Sequence, residues 1–207
     1  MKKSKRIKKS NSWRIKQHRD QFFKKSKTLG YRSRSSFKLI ELNNKFKFLK
    51  NGINLLDLGS FPGGWCQVAS EKIKNGKILG VDKKKVKELK GVKFIIGDFL
   101  EEKLKATVVE YFNSPIDVIM SDMAPNTTGN KSLDTIRTNE LCLELINFSR
   151  EMLKQDGIVI SKLFMGEDFE DIKSKAKKYF KKIHFFKPDS SRTESRETYI
   201  HCSGLST

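Results

Sequence analysis

Lys162 closes the run Ile158-Val159-Ile160-Ser161-Lys162, the body of a segment that otherwise reads as a buried β-strand. An ammonium is costly to desolvate, so a core strand excludes it, pairs it or uses it. A second strand-like run, Pro115 to Met120, also ends in a charge, at Ser121-Asp122. In open α/β sheets the carboxyl ends of the strands form the ligand crevice. A lysine and a carboxylate delivered to one such edge point to an active site.

Two more carboxylates and a glycine-rich turn point to the same edge. Leu56-Asp57-Leu58 is followed by Gly59-Ser60-Phe61-Pro62-Gly63-Gly64-Trp65, a turn in which glycine allows tight bends and close approach of backbone to ligand. The spacing is not Gly-x-Gly-x-x-Gly, and Pro62 removes an N–H that a pyrophosphate-binding loop would use. Asp82 ends the next strand, 23 residues after Gly59, where a carboxylate can accept both hydroxyls of a ribose. Asp98 ends the third, where it can accept from an adenine amino group. A nucleoside ligand without a demand for phosphate donors fits S-adenosylmethionine better than a nicotinamide dinucleotide. The alternative is that Asp82 and Asp98 serve as turn or cap residues.

These residues need a scaffold of alternating elements. Apolar positions at 37, 39, 40 and 42 predict a helix over 33–44, with Ser33, Ser35 or Ser36 as cap. Strands are expected at 53–58, 77–81, 92–96, 116–120 and 157–163, with helices at 65–74, 101–112, 133–153 and 169–180 between or after them. Strands at 182–186 and 198–202 follow, joined by a polar loop without a helix, so they should form an antiparallel hairpin. The pattern is α/β, a doubly wound, mainly parallel sheet of seven strands.

The 207 residues suffice for one domain with a real core. No apolar run reaches the ~18 residues of a membrane span, and the first residues lack the apolar centre of a signal peptide. A mitochondrial presequence fits poorly, since residues 1–10 are mostly lysine. Cys66, Cys142 and Cys202 are scattered without Cys-x-x-Cys, against a disulfide framework or zinc site and for a reducing, cytoplasmic location. The net charge of +19 is uneven: residues 1–30 hold 12 Lys and Arg against the single acid Asp20. Such an arm is the electrostatic footprint of a phosphate-backbone binder, although a solubilising tail has the same composition. We therefore expect a basic, partly flexible RNA-binding arm over 1–30 and a single domain over 31–207.

With these residues in view, the chain resembles the FtsJ/RrmJ family of ribose 2′-O-methyltransferases, in its bacterial large-subunit rRNA branch. The likeness runs from about Trp13 to Gly204. It is carried by Leu29-Gly-Tyr-Arg-Ser-Arg-Ser-Ser-Phe-Lys-Leu39, Asp57-Leu-Gly with Pro62-Gly-Gly-Trp65, Ser121-Asp-Met-Ala-Pro-Asn126, Lys187-Pro-Asp-Ser-Ser-Arg192 and Ser195-Arg-Glu197. The resemblance implies the Rossmann-like methyltransferase fold and a catalytic tetrad at Lys38, Asp122, Lys162 and Glu197. It implies cofactor contacts among Asp57, Gly59, Pro62, Gly63, Gly64, Trp65, Asp82, Asp98, Phe99 and Asp122, with no metal. Phe61 departs from the pattern, where relatives carry a small residue. It either narrows the methionine end of the pocket or points to solvent.

The implied reaction moves a methyl group from S-adenosylmethionine to a ribose 2′-oxygen, a weak nucleophile that needs positioning and proton removal. Lys162 is the candidate base. Partial burial and the like charge of Lys38 favour loss of its proton; Asp122 and Glu197 oppose it. Kept charged, Lys162 would instead orient the 2′-oxygen and stabilise developing negative charge. RNA docking is expected at Arg32, Arg34, Arg192 and Arg196 together with the arm, and a 2′-hydroxyl makes RNA the substrate class. The resemblance points to a uridine of 23S rRNA, a role supporting ribosome assembly and a monomeric enzyme. Transfer RNA and a non-catalytic assembly factor are the alternatives; the complete tetrad speaks against the latter. A protein or small-molecule methyltransferase would need neither arm nor tetrad.

Overall fold

A computed structural model describes residues 20–206. Along the chain come α1 (Gln21–Thr28), α2 (Ser36–Phe46), β1 (Leu55–Leu58), α3 (Gly64–Lys72), β2 (Ile78–Asp82) and β3 (Lys93–Ile96). There follow α4 (Glu102–Phe112), β4 (Ile116–Ser121), α5 (Lys131–Met152), β5 (Leu153–Phe164), α6 (Phe169–Tyr179), β6 (Phe180–Phe186) and β7 (Glu197–Leu205). One seven-stranded sheet runs in the order β3-β2-β1-β4-β5-β7-β6. The first five strands are parallel neighbours, and β7 is antiparallel to both β5 and β6.

Strand periodicity divides the core between the two faces. Leu56 and Leu58 of β1 and Ile119 of β4 join α4, α5 and α6 through Leu104, Val108, Leu145, Ile146 and Ile172. Leu55, Val118 and Met120 turn the other way, against Leu39 and Leu42 of α2 and Trp65 and Val68 of α3. Each of these leucines is buried, worth about 1.5–3 kcal/mol apiece in apolar transfer.

The expected hairpin forms, but β7 is inserted between β5 and β6 rather than added at the edge. This insertion reverses β7 relative to β5, pairing Lys162 with Tyr199 and Phe164 with Glu197. The first residue of β7 therefore reaches the carboxyl edge of the parallel strands. β5 begins at Leu153 rather than Gly157, because buried Leu153 pairs with Ile116 across a register shift before the regular ladder resumes. The Gln155 and Asp156 that interrupt the apolar pattern are exposed on that segment.

Helix α2 begins at Ser36, and no serine hydroxyl caps it. Ser33 and Ser35 hydroxyls pair with each other at 2.6 Å, and the Ser35 carbonyl accepts from Trp65 Nε1 at 2.9 Å. The basic arm is folded from residue 20 onward; its earlier part, with Trp13 and His18, lies outside the described residues. Asp20 caps α1 by accepting from the Phe22 and Phe23 N–H groups. Phe22 packs on Phe37 of α2, ring centroids 5.5 Å apart, so this aromatic anchors the helix.

Candidate functional site

Three strand ends and one helix converge at the carboxyl edge. Asp122 follows directly on β4, and Lys162 lies near the end of β5. Lys162 Nζ donates to Asp122 Oδ1 at 3.0 Å and to the Asp122 carbonyl at 2.6 Å. Across the β5–β7 ladder, Tyr199 Oη donates to the same Asp122 Oδ1 at 2.7 Å. Glu197, two residues earlier in β7, shares the face of Tyr199. It meets Lys38 of α2, whose Nζ lies 2.7 and 2.8 Å from its two oxygens. Ser191 Oγ donates to Glu197 Oε1 at 2.8 Å. The four sequence-predicted residues thus form two ion pairs on one edge, with the Tyr199 ring beside the second pair: Lys38 Nζ sits 5.9 Å from its centroid.

Sequence reasoning missed Tyr199. Its signal was present, since a strand residue two positions after Glu197 must share its face. Burial tends to raise the Asp122 pKa, but the Lys162 and Lys38 ammoniums and the Tyr199 hydroxyl prevail and hold the carboxyl below its ordinary value. Burial, Asp122 and Glu197 push the Tyr199 phenol well up, so it keeps its proton and remains a donor. Lys162 is only 7% exposed and has committed two N–H directions to Asp122. Its remaining tetrahedral position is where a substrate oxygen would meet either a third N–H or a lone pair.

Next to Asp122 a narrow cleft is lined by Gly59, Ser60, Gly64 and Trp65. Gly59 has φ +76°, and a Cβ there would lie 2.6 Å from Met123 Cγ and 3.0 Å from its Cα. Only glycine lets the turn pass so close to the residue after Asp122. Ser60 Oγ is buried and lacks a hydrogen-bond partner among the described residues. A buried hydroxyl without a partner at such a cleft fits a polar ligand group. Phe61 also lines this cleft; it is 47% exposed, with Lys84 Nζ over its ring at 5.2 Å.

The other expected ligand carboxylates are partly engaged. Asp82 accepts from the Phe61 N–H at 2.9 Å and the Lys84 N–H at 2.8 Å. It therefore shapes the turn while keeping a free lone pair on each oxygen. Asp98 pairs with Lys83 at 2.6 Å and accepts from the Leu100 N–H. Burial opposes ionisation of Asp98, yet the Lys83 and Leu100 bonds hold its pKa below the usual value.

The side chains of two expected cofactor residues are buried within the protein. Asp57 is 1% exposed and accepts from Cys66 Sγ at 3.0 Å. Its carboxyl faces Cys66 of α3. Phe99 is buried against Phe148, edge to face at 5.2 Å, which leaves only its backbone for a ligand. Pro62, Gly63 and Gly64 complete the turn into α3.

Half of the expected RNA-contacting arginines are committed inside the protein. Arg32 donates to the Lys87 and Glu88 carbonyls, both at 2.6 Å. It packs where a Cβ on Gly63, φ +104°, would intrude to 2.6 Å. Arg34 clamps the Asp20 carboxylate and the Ser190 carbonyl. Glu41 of α2 adds bonds from the Asp189 and Ser190 N–H groups at 2.6 and 3.1 Å, so α2 holds the 187–196 loop in place. Arg34→Ala is therefore expected to lower unfolding free energy by about 2–3 kcal/mol, the scale of buried charged hydrogen bonds. Arg192→Ala, whose half-exposed side chain reaches Asp20 only at 3.9 Å, should cost under about 1 kcal/mol. Urea unfolding of both variants checks the contrast. Arg196 is exposed.

The two described histidines, His184 and His201, sit beside Phe46. His201 stacks on Phe46 at 4.2 Å, and burial followed by the neighbouring His184 pushes its pKa down to about 4. Among the described residues, no group of three or more His, Cys, Asp or Glu is arranged to hold a metal ion, and no helix is long and apolar enough to cross a membrane.

Comparison with known proteins completes the picture. Residues 31–205 match the FtsJ-like methyltransferase family model. A Pelagibacter ubique protein named ribosomal RNA large subunit methyltransferase E is 45% identical over 95% of this chain and 97% of its own length. The Rickettsia akari protein of the same name is 40% identical over 95% and 89%. Among solved structures, a Plasmodium falciparum ribosomal RNA methyltransferase superposes with a TM-score of 0.77 at 36% identity, covering 84% of this chain and 98% of that one. The inserted β7 and the paired charges at the carboxyl edge thus sit on a methyltransferase scaffold, and the chain belongs to the FtsJ-like methyltransferase family.

Proposed function

We propose that this protein methylates the ribose 2′-oxygen of a uridine in large-subunit (23S) ribosomal RNA, with S-adenosylmethionine as donor. One observation carries the reading: Lys38–Glu197 and Lys162–Asp122 lie together beside the glycine turn, joined through Tyr199. The names of the relatives from Pelagibacter and Rickettsia support ribosomal RNA as the substrate. The donor would be held by the turn from Gly59 to Trp65, by Asp82 and Asp98, by the Phe99 backbone and by Asp122. When bound, it supplies an electrophilic methyl group.

Everything else falls to the chain. Asp122 fixes the direction of Lys162, so the third position on Nζ aims at the incoming 2′-oxygen. There Lys162 either accepts the proton or stabilises the charge that builds as it leaves. The Lys38–Glu197 pair presents a donor and an acceptor for the other ribose oxygens. Arg192 and Arg196, both exposed, are free to meet phosphates. The protein would act in the cytoplasm as a monomer, on RNA within the large subunit, and so support its assembly.

The test is a map of 2′-O-methyl groups in rRNA and tRNA from a deletion strain. One large-subunit uridine should lose its methyl group and regain it on complementation. An unchanged rRNA map defeats this substrate, and a lost tRNA methyl group would transfer the assignment there.

A further inference from the structure

Past Glu197, on the side away from the glycine turn, the same sheet edge holds a cavity of about 300 Å³. It lies where β5 and β6 end and β7 begins. Its walls are Phe169, Phe185, Phe186 and Met165, with Arg196 and Lys187 at the rim. This is the lower end of the roughly 300–1,000 Å³ range of small-ligand pockets. Phe169 and Phe185 lie with ring centroids 4.6 Å apart, both only half-buried. Met165 is 46% exposed. Lys187 Nζ donates to the Ser195 carbonyl at 2.7 Å, which fixes the rim. Glu197 lines the cavity, while its carboxylate pairs with Lys38.

An aromatic and thioether wall with cationic rims matches one class of ligand: a planar base on an anionic backbone. Aromatic side chains offer stacking faces to any base, and arginine adds a cation–π contribution while neutralising phosphate. The charge of the chain, +19, favours that polyanion over an apolar peptide. Position narrows the choice further. Phe164, next to Met165, pairs with Glu197, two residues beyond the Lys162–Tyr199 pair, about 7 Å along the strand. The pocket therefore lies at the same strand ends as the reactive lysine, its Phe169 and Phe185 on the α6 side of the sheet and the Lys38–Glu197 pair on the α2 side.

We propose that this cavity receives the unstacked base of the nucleotide flanking the target ribose, holding the single strand so that the neighbouring 2′-hydroxyl meets Lys162. The inference rests on the RNA reading above and adds a base subsite to it.

The test measures binding of the full-length protein to single-stranded RNA by fluorescence anisotropy. One strand is a ten-nucleotide oligouridine; its twin carries abasic riboses throughout. Base stacking predicts that the oligouridine binds roughly tenfold more tightly, and that Phe185→Leu with Met165→Ala removes most of this preference. Affinity for the abasic strand and its salt dependence should not change. Arg196→Ala, at an exposed site, should instead weaken both strands alike and reduce the salt slope by about one. Thermal melts identify a variant that fails to fold, in which case Met165→Ala alone carries the comparison. Equal wild-type affinity for the two strands, or a preference untouched by these substitutions, overturns the pocket and leaves the RNA reading standing. Absence of binding to either strand overturns both. For position, single abasic sites are placed in turn in a fragment around the mapped methylation site: loss at the target position alone, not at its neighbour, overturns the flanking assignment.

Discussion

Lys162→Ala is expected to reduce methyl transfer by about 10²–10⁴-fold, the range contributed by a positioned acid–base or charge-stabilising group. S-adenosylhomocysteine binding should survive within a few-fold. The separation follows from the geometry. Lys162 reaches Asp122 from β5, whereas the glycine turn and the orphaned Ser60 hydroxyl belong to the β1–α3 side. Loss of the ammonium leaves Asp122 with the Tyr199 hydroxyl at 2.7 Å and the charge of Lys38 nearby, so the carboxylate is not abandoned. Removing one partner of a buried pair still costs stability, and Lys162→Met, which refills the volume, serves as the second variant. Single-turnover transfer of a labelled methyl group reads the chemistry and calorimetry reads the binding. Near-normal turnover in both variants would remove Lys162 from the reaction.

The second large effect is on stability, and it comes from Asp57. Burial, with the nearby Asp122 and Asp82 charges, outweighs the Cys66 hydrogen bond and raises its pKa from 3.8 to about 8. At neutral pH the native protein therefore holds a proton that the unfolded chain has released. With the folded value raised, the stability contribution is complete below about pH 4 and is lost as pH rises toward 8. Each pH unit in that window costs up to about 1.4 kcal/mol, or a few kcal/mol across it. Asp57→Asn mimics the neutral carboxyl, can still accept from Cys66, and cannot ionise. It is expected to unfold at similar urea concentrations to wild type near pH 4 and at clearly higher ones at pH 8. His201, pushed down to about 4, works in the opposite direction between about pH 4 and 6.5 and cancels in the comparison. Parallel pH profiles for the two proteins would mean that Asp57 is charged in the native state.

Both effects concern charges at the ends of buried strands, and these were legible in the sequence. Asp57, Asp82, Asp98, Asp122 and Lys162 each interrupt or close an apolar run, so their arrival at one sheet edge follows from strand period and parallel topology alone. Lys38 and Glu197 are different. Lys38 lies on a helix and Glu197 at the start of a late strand, and only the family resemblance connected them to Asp122. Arg32 and Arg34 have internal partners that the sequence did not announce. As exposed-looking cations in a basic stretch they read as RNA contacts, yet nearby carbonyls and Asp20 claim them.

The sequence by itself determined the element order from α2 onward, the two-faced core and the carboxyl-edge address of the lysine and the acids, because burial and periodicity are local properties; the helix α1 inside the basic arm was not read. Only the tertiary structure decided that β7 enters between β5 and β6. That insertion brings Tyr199 opposite Lys162 and carries Glu197 to Lys38, while the packing of α3 on β1 sets Cys66 against Asp57. The reason is physical: strand order and partner choice depend on contacts between residues far apart in the chain, and a charge takes its role from whichever group desolvates or pairs it.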